Sequence, residues 1–141
     1  MANPWSEAID ANAAAEGAGL VKFVVPSMVE IDNIVFDEPT FRYMENAAQA
    51  DSVDGTVTFT IRKGQGATGV DFHGDYTEYP KTWVQDIEGK QVACYGTQDG
   101  VSNLVTWEAF DCSYALYCHD TEDETVGIPD AVIASLVVQV A

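Results

Sequence analysis

Asp71, His73 and Asp75 alternate along the chain and form the cluster of side chains best suited to chemistry. On an extended backbone, residues two apart point the same way. This spacing would set a neutral imidazole between two carboxylates, an arrangement for a divalent metal or for acid–base exchange. Gly74 interrupts the cluster, and Gly64, Gly66 and Gly69 precede it. Such glycines mark a turn or bulge, in which His73 is simply salt-bridged. A metal-dependent hydrolase using Asp71, His73 and Asp75 therefore stands as the alternative reading rather than the first.

The other constellations are weaker. Cys118-His119 with Cys112 has the atoms for zinc, but five residues intervene between the cysteines on a segment that reads as a strand, whereas zinc sites use ligand pairs that fold around the ion. Asp120, Glu122, Asp123 and Glu124 offer hard oxygens, yet the Asp-x-Asp-x-Asp-Gly order of a calcium-binding loop is absent, so this is a solvated acidic loop. Gly64, Gly66 and Gly69 spell Gly-x-Gly-x-x-Gly, but no convincing helix follows them, as dinucleotide binding would require. Neither a Gly-x-Ser-x-Gly elbow nor a Lys-Ser/Thr phosphate loop occurs. No enzyme activity and no cofactor are expected.

Aromatic residues give the better lead. Tyr76, Tyr79, Tyr95 and Tyr117 fall in the second half of the chain, where strands with no fully polar face could present an aromatic groove. Tyrosines serve ligands and protein partners with little loss of side-chain entropy.

The elements that must carry these residues follow from periodicity and turn chemistry. Asn3 and Pro4 open an N-terminal helix expected over Pro4 to Glu16, with Trp5, Ala8, Ile9 and Ala13 on one face and Gly17 as its stop. Leu20 to Val25 reads as a short strand closed by Pro26. Asp54-Gly55, Glu88-Gly89 and Asp99-Gly100 are hairpin signals. They separate strands around Phe41 to Asp51, Thr56 to Lys63, Thr82 to Asp86, Lys90 to Tyr95 and Val101 to Phe110, and Cys112 to Cys118 follows. Ile133, Leu136, Val137 and Val140 then keep helical spacing in a terminal helix from Pro129. The expected fold is α+β: an N-terminal helix, a curved antiparallel β-meander of about six to seven strands, and a short C-terminal helix on the same sheet face.

Composition bounds the rest. With 141 residues, 47% hydrophobic and 21% charged, the chain makes one globular domain over 1–141. Twenty-three Asp and Glu against six Lys and Arg give a net charge of −17, about twice the upper end usual for a small domain. Nucleic acid and anionic membrane surfaces are excluded as partners. The basic residues end at Lys90, so a neutral, apolar or cationic partner suits the second half best. No segment is long and apolar enough to span a bilayer, and no membrane insertion by this chain is expected. Three cysteines cannot all pair internally; Cys94 with Cys112 or Cys118 is the disulfide open to them, and three buried thiols are the alternative.

Asn3-Pro4-Trp5, the alanine-rich run ending Ala14-Ala15-Glu16-Gly17-Ala18-Gly19, Val25-Pro26, Gly74-Asp75-Tyr76, and then Trp107, Tyr114 and Leu116 before a last short helix form an ordered set. In that order the chain resembles an uncharacterised family of secreted or lipoprotein domains of Gram-positive bacteria, similar to the extracytoplasmic domain of unknown function in anti-sigma-factor-like proteins. The resemblance implies an extracellular or cell-surface location, with a signal or anchor outside the sequence given, and a sensing or binding role. It carries no catalytic residues. The expected function is thus a non-enzymatic binding or sensing module for a protein or an apolar small molecule, acting as a monomer or weak homodimer. A purely structural homo-oligomer is a further alternative.

Overall fold

A computed structural model describes residues 5–31, 33–66 and 79–140. A three-residue strand β1 (Ser6–Ala8) precedes helix α1 (Ala11–Ala18), and two hairpins follow, β2 (Met28–Ile31) with β3 (Ile34–Asp37) and β4 (Thr40–Met44) with β5 (Ala47–Asp54). Next come β6 (Val57–Gln65), β7 (Lys81–Ile87), β8 (Lys90–Gly96), β9 (Val101–Ser102), β10 (Leu104–Ala109), β11 (Cys112–Asp120), β12 (Ile128–Pro129) and helix α2 (Asp130–Val140). Eight strands form one antiparallel sheet in the order β1-β4-β5-β6-β11-β10-β8-β7, with β12–β9 and β2–β3 as separate pairs.

The α+β class stands, with two corrections to the sheet. It has eight strands rather than six to seven, because Phe41 to Asp51 is a hairpin and not one strand. Asn46 turns that hairpin with φ of 68°, a left-handed conformation that asparagine tolerates. Nor is the sheet a simple meander. β11 inserts between β6 and β10, so β6 and β7, consecutive in sequence, end up with three strands between them.

Strand alternation builds the core. Phe41, Ala50, Ile61, Leu116, Val105, Cys94 and Trp83 stand in register across seven strands and point to one face. Both helices pack on that face. Ala14, Ala15 and Ala18 of α1 and Ile133, Leu136, Val137 and Val140 of α2 are buried in the same cluster. The first turn of α2 is fastened by Asp130, whose Oδ1 accepts from Trp83 Nε1 (3.3 Å) and Gln85 Nε2 (3.0 Å).

The first helix is shorter and later than Pro4 to Glu16. Ser6–Ala8 pairs with β4 instead, and Asp10, extended at φ −158°, caps α1 by accepting from the Ala13 amide at 2.8 Å. Gly19, not Gly17, closes α1 in the left-handed conformation, its amide donating to the Ala15 and Glu16 carbonyls. Leu20 to Val25 is not a strand; it runs as irregular backbone with Leu20 and Phe23 buried. All three cysteines are free thiols. β10 separates the strands of Cys94 and Cys118, placing them two strand spacings, about 10 Å, apart, beyond the roughly 7 Å limit for a bridge. Neither pairing of Cys94 with Cys112 or Cys118 is formed. Among the described residues no helix is long and apolar enough to cross a membrane.

Candidate functional site

Asp71, His73, Asp75 and Tyr76 lie outside the described residues. Among the described residues no group of three His, Cys, Asp or Glu side chains could hold a metal ion. The remaining tyrosines do come together. Tyr95, Leu104 and Tyr117 form one cross-strand row on the face opposite the helices, and the Tyr79 ring lies 6.5 Å from that of Tyr95. This face is not an open apolar surface. Leu104 and Ala115 are buried on it, and its other half is a polar network in which Asp51 pairs with Arg42 and accepts from Gln49 and Thr60, while Arg62 Nε donates to Gln49 at 2.7 Å.

An accessible concavity lies elsewhere, at the end of the sheet where β6 finishes and β11 begins. A cleft of about 520 Å³ opens between residues 19–22 and the β6 and β11 ends, walled by Leu20, Val21, Lys22, Lys63, Phe110 and Cys112. Three local structures set its shape. The Gly19 turn that ends α1 lets the Leu20 amide donate to Ala15 O at 2.9 Å, which turns the chain across the sheet. The β6 end is pinned where Gly66 donates to Asp111 O (2.7 Å) and Ser113 Oγ donates to Gly66 O (2.7 Å).

The third element is the β10–β11 turn. Phe110 and Asp111 both have positive φ, 54° and 62°, the hairpin geometry that normally calls for Asn-Gly. A phenylalanine in this conformation costs about 1–2 kcal/mol. It leaves Phe110 72% exposed on one wall of the cleft, while Val21, fully exposed, lines the other. Two large apolar side chains are thus held in water where the cleft opens.

Lys63 supplies the charge. Alternation turns it toward the helix-covered face, directly opposite Tyr114, and it is 95% buried. Its Nζ donates to Lys22 O at 2.9 Å and stands 5.5 Å from the centre of the Tyr114 ring. No carboxylate pairs with it among the described residues. Burial pushes its pKa below the usual lysine value, Cys112 opposing the shift and Lys22 adding to it. Sequence reasoning missed Lys63 because it stands near the end of the strand, beside Gly64, where a base reads as a solvated margin. The available signal was its parity: it shares a face with Phe59 and Ile61, a position that should have been apolar.

No protein-family model, curated protein or solved structure matches the chain.

Proposed function

We propose that the protein is a non-enzymatic extracytoplasmic binding module whose site is the cleft between residues 19–22 and the β10–β11 turn, and whose ligand is an apolar small molecule. The observation that carries this is Phe110: a bulky residue kept in a left-handed turn at a cost in stability and left exposed at a 520 Å³ cleft that Val21 also lines. Backbone strain of this kind persists where it serves a site. The cleft volume falls in the range of small-molecule sites, about 300–1,000 Å³. The extracytoplasmic placement rests on the resemblance described for the sequence.

The test uses a neutral, apolar fluorophore, N-phenyl-1-naphthylamine. Saturable fluorescence enhancement with the wild-type protein, lost in Phe110→Asn and in Val21→Ser while both variants keep a cooperative unfolding transition, is the expected result. Absence of saturable binding, or equal binding by all three proteins, rejects the cleft as the site.

A further inference from the structure

Lys63 is one of only six bases in a chain of net charge −17, yet it is buried with no acidic partner among the described residues, while most acidic side chains stand at the surface. A buried ammonium normally is paired or satisfied by hydrogen bonds, because desolvation penalises the charged form. Among the described residues Lys63 makes one hydrogen bond, to Lys22 O, and one ring contact, to Tyr114, out of three available donors. Lys22, a second base, stands on the facing wall, and among the described residues Asp111 is the single acidic residue lining the cleft. The cleft is therefore locally cationic in a molecule that is acidic nearly everywhere else.

Resting on the binding role just proposed, we infer that the cleft takes an aliphatic monocarboxylate, its carboxylate accepting from Lys63 Nζ and its chain lying against Leu20, Val21 and Phe110. The carboxylate supplies the counter-charge that no described residue does. A cationic or neutral head leaves the ammonium as it stands, so head-group charge decides between ligands of equal chain length. Two electrostatic effects compete for the anion. The net charge of −17 repels it at long range, but salt screens that field over about 8 Å at physiological ionic strength, whereas a contact ion pair inside a cleft is screened much less. The local pair wins. A charge-assisted hydrogen bond in such a setting corresponds to roughly a ten- to hundredfold preference.

Displacement of bound N-phenyl-1-naphthylamine by dodecanoate, 1-dodecanol and dodecylammonium at fixed ionic strength tests this. Dodecanoate should displace the probe at least tenfold more tightly than dodecanol, and dodecylammonium more weakly than either. In Lys63→Met the preference of dodecanoate over dodecanol should vanish, while dodecanol still competes. Dodecanol binding as well as dodecanoate to the wild-type protein overturns the carboxylate assignment but leaves the apolar cleft standing; failure of all three to displace the probe, or of the probe to bind, overturns the cleft itself. The wild-type series decides the question even if Lys63→Met does not fold.

Discussion

Trp107 and Tyr114 face each other across β10 and β11 with ring centroids 5.0 Å apart and planes 1° from parallel, and among the described residues neither the indole Nε1 nor the phenol oxygen has a hydrogen-bond partner. Both residues are almost wholly buried. A buried hydroxyl without a partner costs about 1–3 kcal/mol in lost hydration, while the stack and the buried area belong to the rings. Tyr114→Phe keeps the ring and removes the orphan. It should raise stability by about 1 kcal/mol, read as a higher urea midpoint at unchanged slope. A loss of stability of that size would show that the hydroxyl is bonded.

Burial also sets how the fold responds to alkali. The Cys118 thiol is pushed up to about 12 by burial and then by Asp120, and the Tyr114 phenol to about 12 by burial and then by Cys112. Burial raises the Cys94 thiol as well. Each group keeps its proton in the folded state at a pH where the unfolded chain has released it. Their contribution is complete below about pH 9 for the thiols and 10 for the phenol. For Cys118 and Tyr114 it is lost as pH climbs toward 12, at about 1.4 kcal/mol per pH unit for each group, and Cys94 adds a decline of the same sign. Lys63 acts with the opposite sign. Its lowered pKa means that the unfolded chain binds more protons just below 10.5, so stability gains there. Three falling groups outweigh one rising group. Unfolding free energy measured from pH 8 to 11 should decline, and Cys118→Ala should flatten the decline by about 1.4 kcal/mol per unit above pH 9.

The thiols separate by access. Cys94 and Cys118 are completely buried and Cys112 is half-buried at the cleft. A thiol-reactive chromogen should label one cysteine per folded chain quickly, and three once the chain is unfolded without reductant. Fewer than three in the unfolded protein would reveal a disulfide.

Gly96 sits where β8 passes under the start of β9, and a Cβ there would run into the Val101 carbonyl oxygen. The obstacle is backbone, held on the other side by the Asn103 amide bond to Tyr95 O and by the Ile128 pairing of Ser102, so it cannot swing aside as a side chain would. Gly96→Ala should therefore cost about 2–3 kcal/mol in chemical denaturation. Gly55→Ala tests backbone strain alone, since it has φ of 61° and open space around it. Its cost should be near 1 kcal/mol.

What the sequence made legible follows physical lines. Glu88-Gly89, with φ of 52° and 83°, and Asp54-Gly55 are turns because glycine enters the left-handed region freely, and both hairpins form where those pairs occur. The terminal helix was equally readable, since Ile133, Leu136, Val137 and Val140 are its buried stripe. The turn at Glu45-Asn46 carries no glycine, so local chemistry left β4 and β5 undivided and understated the strand count. Ser6–Ala8 had helical spacing but found a free edge on β4, and Ile9, expected on the buried side, is 91% exposed. The cleft was not legible because its walls are far apart in sequence. Leu20 to Lys22, Lys63 and Phe110 to Cys112 meet only after β11 has inserted beside β6.

Phe110 links stability to binding, and Phe110→Asn should move the two in opposite directions. Asparagine accepts the left-handed conformation readily, recovering much of the 1–2 kcal/mol that phenylalanine gives up at φ 54°. The ring also contacts Lys90, whose Nζ lies 5.7 Å from its centre, and an exposed contact of this type contributes about 0.5–1 kcal/mol. Phe110→Asn should thus gain roughly 0.5 kcal/mol net. Phe110→Ala loses the same ring contact without relieving the backbone and should be less stable than Phe110→Asn by about 1 kcal/mol. Both should lose the apolar probe. If Phe110→Asn is instead the less stable of the two, the turn is not strained, and the case for a residue kept at this cleft for binding loses its foundation.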